Sequence, residues 1–148
     1  AAPGAGAYQR VDERCNYCDG AGTGVAERIA GMSGSARHDI VIEEGATFVL
    51  SVSLEDAAEQ VVDLTGASAR MQGRVEWRDD ATLFSLTSGA GDIVIDGAAG
   101  SVTATISDTA TAAYDFETGV YDLEVVEADG TVLRVCYGVV ELSREVTR

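Results

Sequence analysis

Lysine is absent: all ten basic residues of the 148-residue chain are arginine, set against 25 aspartates and glutamates for a formal charge of −15. A chain this acidic repels phosphate backbones and anionic lipid headgroups, which argues against nucleic-acid and membrane partners. It also favours solubility and keeps copies apart, and it suits a GC-rich, marine or halophilic source. Proline occurs once and histidine once (Pro3 and His38). A lone imidazole cannot assemble a nucleophile–base–orienter set, and no serine sits in a Gly-x-Ser-x-Gly elbow, so catalysis is not expected. Three cysteines, Cys15, Cys18 and Cys136, are an odd and small number. They argue against a secreted disulfide framework and for folding in a reducing compartment. No run approaches the ~20 consecutive apolar residues of a membrane span, and the Ala1–Ala7 stretch has neither the basic nor the apolar region of a signal peptide.

What is present divides the chain in two. Residues 1–38 are rich in Ala and Gly, sparse in apolar residues and without alternation. Residues 25–32 (Val-Ala-Glu-Arg-Ile-Ala-Gly-Met) could make about two helical turns, and the rest is expected to form an extended arm. Such a segment buries too little apolar surface to fold by itself. From Asp39 the hydrophobic period changes to two. Residues 39–42, Phe48–Leu54, Leu83–Leu86, Ile93–Ile95, Val102–Ile106, Tyr121–Val125 and Val132–Leu142 read as strands, with a shorter extended piece at 61–65. The clearest alternation puts Ala69, Met71, Gly73, Val75 and Trp77 on one face and Arg70, Arg74 and Arg78 on the other. Trp77 and Tyr121 read as core aromatics. Ser107 or Asp108 can cap one helical turn, and Ala128-Asp129-Gly130-Thr131 is a hairpin signal. About eight short strands, with turns every ~8–12 residues and no βαβ helix between them, give an all-β class and an antiparallel β-sandwich over residues 39–148.

Chemistry-bearing patterns are few. Cys15-Asn-Tyr-Cys18-Asp-Gly-Ala-Gly matches the CxxCxGxG knuckle that grips zinc in paired copies, but one copy stands alone. A site from Cys15, Cys18, His38 and Cys136 is arithmetically available; the simpler account is a chance pair in a Gly-rich arm with Cys136 in the core. No cofactor is expected, and Cys15 and Cys18 stay as weak metal candidates. A redox role would need a helix N-terminus beside the thiols, and Asp19 opposes it. Arg70, Arg74 and Arg78 could hold an anion or pair with carboxylates across strands. Glu43-Glu44 and Asp79-Asp80 read as solvated turns.

Three blocks carry a family resemblance: Asp39-Ile-Val-Ile-Glu-Glu-Gly-Ala-Thr-Phe48; Val62-Asp-Leu-Thr-Gly-Ala-Ser-Ala-Arg-Met-Gln72; and Gly119-Val-Tyr-Asp-Leu-Glu-Val125 with Asp129-Gly-Thr131 and Glu145-Val-Thr-Arg148. Over residues 39–148 the chain resembles the immunoglobulin-like structural module of tailed bacteriophages related to the N-terminal domain of baseplate upper proteins. The resemblance implies an immunoglobulin-like sandwich and a non-catalytic virion protein, assembled in the host cytoplasm as an oligomer on the particle. The expected role is a tail or baseplate adaptor that docks a fibre. A capsid decoration protein clamping major capsid subunits is the alternative, and a small zinc-binding chaperone-like or redox protein a further one. The arm and the absence of a fibre-forming region after Arg148 depart from the family's pattern. A carbohydrate-binding sandwich needs several exposed aromatics on one face, and the aromatics here read mostly as core. Attachment is expected through the arm, with Tyr8, Tyr17, Val25, Ile29 and Met32 buried against a neighbouring virion subunit, or through strand addition at a sheet edge. Deleting residues 1–38 is expected to leave a folded domain that no longer assembles.

Overall fold

The computed structural model describes residues 24–30, 36–56 and 60–147. These residues are almost all β. The strands are β1 (Gly24–Ala30), β2 (Ala36–Arg37), β3 (Ile40–Glu43), β4 (Phe48–Glu55), β5 (Ser68–Arg74), β6 (Phe84–Thr87), β7 (Ile93–Asp96), β8 (Ser101–Ile106), β9 (Thr118–Val126) and β10 (Val132–Ser143). One short helix, α1 (Asp108–Ala112), follows β8, with the Ser107 hydroxyl accepting from the Ala110 N–H as its N-cap.

The strands form two sheets. One runs β1-β4-β8-β7; the other runs β2-β10-β9-β5-β6, with β3 also on β10. Period-two patterning makes each sheet amphipathic, and the apolar faces share one core. Phe48, Leu50, Val52 and Leu54 of β4 meet Val102, Ala104 and Ile106 of β8, and Met71, Leu123, Val125 and Val140 come from the other sheet. Each of these side chains other than Ala104, taken from water, stabilises the fold by roughly 1.5–3 kcal/mol. The β9–β10 hairpin closes at Asp129-Gly130. Gly130 has φ of 89°, a left-handed conformation that glycine adopts without steric cost, and the Asp129 carboxylate accepts the Thr131 N–H at 2.8 Å.

Two segments before Asp39 belong to these sheets. β1 pairs in parallel with β4, Gly24 opposite Val49 through to Ala30 opposite Glu55. The helical turns expected over residues 25–32 are therefore a strand across 24–30. A local helical option yields to β4, whose free edge offers a row of backbone donors and acceptors that an extended segment satisfies. β2 and β3 both lie parallel to β10 in one constant register, Ala36 opposite Cys136 and Ile40 opposite Val140. They are one edge strand interrupted at His38-Asp39.

The interruption is anchored. The His38 N–H donates to the Tyr137 carbonyl at 2.7 Å, the Tyr121 hydroxyl donates to the His38 carbonyl, and the Val139 N–H donates to the Asp39 carboxylate at 2.9 Å. Tyr121 and Cys136 are buried, as expected of core residues.

Trp77 is a correction. It was expected in the core and is 73% exposed, with Val75 exposed beside it. Strand β5 ends at Arg74, three residues before the tryptophan. A turn follows in which the Asp79 carboxylate accepts the Glu76 N–H at 3.0 Å and the Asp79 N–H donates back to the Glu76 carbonyl. Once the backbone leaves the pleat, alternation no longer assigns faces.

Candidate functional site: an arginine-lined groove

The outer face of the larger sheet carries the one concentration of cationic and aromatic groups among the described residues. Cross-strand register builds it in rows. Arg134 of β10 stands opposite Glu124 of β9, which stands opposite Arg70 of β5. One row along, Arg37 of β2, Tyr137 of β10, Asp122 of β9 and Gln72 of β5 are aligned, and then Val139, Val120 and Arg74. Together these side chains line a groove of about 600 Å³. Trp77, beyond the end of β5, also lines it.

A β-bulge makes the arrangement possible. Arg134 and Tyr137 are three residues apart, so an unbroken strand would send them to opposite faces. The register shifts between Arg134 and Cys136, leaving Val135 as the extra residue. Val135 and Cys136 both turn into the core, and Arg134 and Tyr137 reach the same groove.

Each charged group has a distinct setting. Arg70 Nε donates to Glu124 Oε2 at 2.6 Å. Arg74 is held by the carbonyls of Asp79 and Asp80, at 2.6 and 2.7 Å, and by Gln72 Oε1 at 3.0 Å. Arg37 makes an exposed 3.3 Å contact with Asp39. The Arg134 guanidinium lies over the Tyr137 ring, 4.3 Å from its centroid, and makes no ion pair among the described residues. Burial on the groove floor pushes the Asp122 carboxyl above the usual carboxylate range, and the neighbouring Glu124 charge adds to this; Arg134, Arg70 and Arg74 pull the other way.

Of the three arginines expected to share a face, Arg70 and Arg74 do. Arg70 makes the expected cross-strand carboxylate pair. Arg78 lies beyond the strand end, stacked on Trp77 at 4.4 Å from the ring centroid, and is not part of the groove lining. Arg37, Arg134 and Tyr137 escaped sequence reasoning. The bulge that redirects Arg134 leaves only a local lapse in alternation at Val135-Cys136, and the pairing of β2 spans a hundred residues.

Of the weak metal candidates, Cys15 and Cys18 lie outside the described residues. Among the described residues no group of three or more His, Cys, Asp or Glu side chains is placed to hold a metal ion. Of the expected attachment residues, Tyr8, Tyr17 and Met32 also lie outside the described residues, while Val25 and Ile29 fall within β1, opposite Leu50 and Leu54. No helix among the described residues is long and apolar enough to cross a membrane. No protein-family model matches the chain, and no curated protein is significantly similar to it.

Proposed function

We propose that this protein is a non-catalytic assembly module, an immunoglobulin-like β-sandwich that acts as a structural component of a tailed-phage virion, with a tail or baseplate adaptor as the specific role. The observation that favours an assembly module is the treatment of sheet edges. β4 and β10 both take up extended segments in parallel, β1 on one and β2 with β3 on the other. A scaffold that completes its sheets with strands drawn from elsewhere in the chain is built to bind extended segments, and strand addition is a recurrent mode of subunit attachment. Among the described residues the outermost strands of both sheets, β1 and β7 in one and β6 and β2 with β3 in the other, each pair on one side only, which leaves sheet edges for partner segments. The phage assignment itself rests on the sequence blocks that resemble the baseplate family.

The test is recovery of a tagged copy in purified parent particles. An adaptor is present at a low, fixed copy number and localises to the tail; a capsid decoration protein is present in hundreds of copies on the head. Absence from the particle refutes the virion reading. Because β1 and β2 lie in the sheets, the informative truncation removes residues 1–23 and keeps both strands. Loss of incorporation with an unchanged circular dichroism spectrum assigns attachment to those residues, and normal incorporation assigns it to the sandwich.

A further inference from the structure

We propose that the arginine-lined groove binds a carboxylated pyranose sugar, the repeating element of an acidic polysaccharide. This inference is independent of where the protein is assembled.

Three observations select the ligand class. The first is charge. On a chain of net charge −15, Arg37, Arg70, Arg74 and Arg134 converge on one concave surface. Arg70 and Arg74 are spent on Glu124 and on backbone carbonyls. Arg134 is not, and its planar fork can hold a carboxylate through charge-assisted hydrogen bonds. Arg37, in register with Tyr137, stands on the same side of the groove.

The second is the floor. Asp122 and Glu124 occupy its centre, on the middle strand β9. An acidic peptide would satisfy the arginines but bring side-chain carboxylates against these two acids, with only its backbone N–H groups as donors. A uronate sugar brings several hydroxyl donors to Asp122 along with the one carboxylate per ring that Arg134 would take.

The third is the aromatic pair. Trp77, 73% exposed, and the half-buried Tyr137 line the same groove. Each already has a guanidinium against its ring. Exposed aromatic rings with polar tips suit a ligand that is apolar along its C–H faces and wet at its edge, which describes a pyranose. The groove thus carries one exposed aromatic, Trp77, at a position that alternation assigned to the core, and one half-buried aromatic, Tyr137.

The chain's single tryptophan lies at the groove and reports on it directly. The full chain is titrated with trigalacturonate, with neutral maltotriose and with a short poly-glutamate peptide, following Trp77 emission and binding heat. Expected is a saturable response to trigalacturonate, weakened about tenfold or more in Arg134→Gln, the loss of one charge-assisted contact. Asp122→Asn should weaken it too, and maltotriose should bind at least tenfold less tightly. Unchanged dichroism and a cooperative urea transition show that the variants are folded. Absence of a response to trigalacturonate overturns the proposal. Equal binding of maltotriose overturns the role of the arginines, and tighter binding of poly-glutamate makes the groove a docking surface for an acidic protein segment instead. Trigalacturonate binding that is unaffected in Arg134→Gln and Asp122→Asn places the sugar elsewhere and also overturns it.

Discussion

Replacing Gly138 by alanine tests whether the segment before Ile40 is part of the folded domain. A Cβ at Gly138 would overlap the His38 carbonyl oxygen, and would come within 2.7 Å of the His38 carbonyl carbon and 2.8 Å of Asp39 Oδ1. Two of these three atoms are backbone, so the clash cannot be relieved by a rotamer change alone. If the crossing yields in place, overpacking costs ~1–3 kcal/mol. If it lifts away, three hydrogen bonds go with it: Tyr121 hydroxyl to the His38 carbonyl, His38 N–H to the Tyr137 carbonyl, and Val139 N–H to Asp39. At ~0.5–1.5 kcal/mol each, that loss is of similar or greater size. Either route predicts a destabilisation of about 2–3 kcal/mol, and with a urea dependence of ~1–3 kcal/mol per molar the unfolding midpoint falls by about 1 M. Gly89→Ala is the control, since a Cβ there meets nothing within 4 Å, and it should stay within ~0.5 kcal/mol of the parent. Gly138→Ala matching this control in equilibrium urea unfolding would refute the packing of residues 38–39 on β10.

Tyr121→Phe keeps the ring and removes the donor to the His38 carbonyl; a loss of about 1–3 kcal/mol is expected from the stranded acceptor, and an unchanged melting curve would show that water replaces the hydroxyl. The Asp39 carboxyl is held below the usual carboxylate range, chiefly by the Val139 N–H and secondarily by Arg37, so its stabilisation is complete above the ordinary value and is lost as pH falls through the lowered one. Asp39→Asn should therefore be less stable than the parent near neutrality, and the gap should close on acidification; a pH-independent gap contradicts the assignment. Asp122 behaves oppositely: burial raises its value, so its ionised form disfavours folding above that value and the penalty vanishes as pH falls to the ordinary range. Asp122→Asn should gain stability at neutral pH and lose that gain in acid, as read by denaturant unfolding across the range.

Alternation along the chain makes the β character and most of the core legible. In β4 and β9 every second residue is apolar, and a half-buried strand needs only its own alternation to be legible; Leu50, Val52, Leu123 and Val125 are all buried. The Asp129-Gly130 turn and the Ser107 cap were equally readable, because their chemistry is satisfied within a few residues. Three features rest instead on contacts distant in sequence. β1 is a strand because the edge of β4 provides hydrogen-bond partners that the local Val-Ala-Glu-Arg sequence cannot. Trp77 faces solvent because β5 stops at Arg74 and a turn closed by Asp79 takes the chain out of the pleat. The groove exists because a one-residue bulge at Val135 returns Arg134 and Tyr137 to one face, where β2, β5 and β9 bring Arg37, Arg70 and Asp122. Periodicity reports the face of a single strand; which strands lie side by side, and in which register, is set by the energy of closing sheets around a common core.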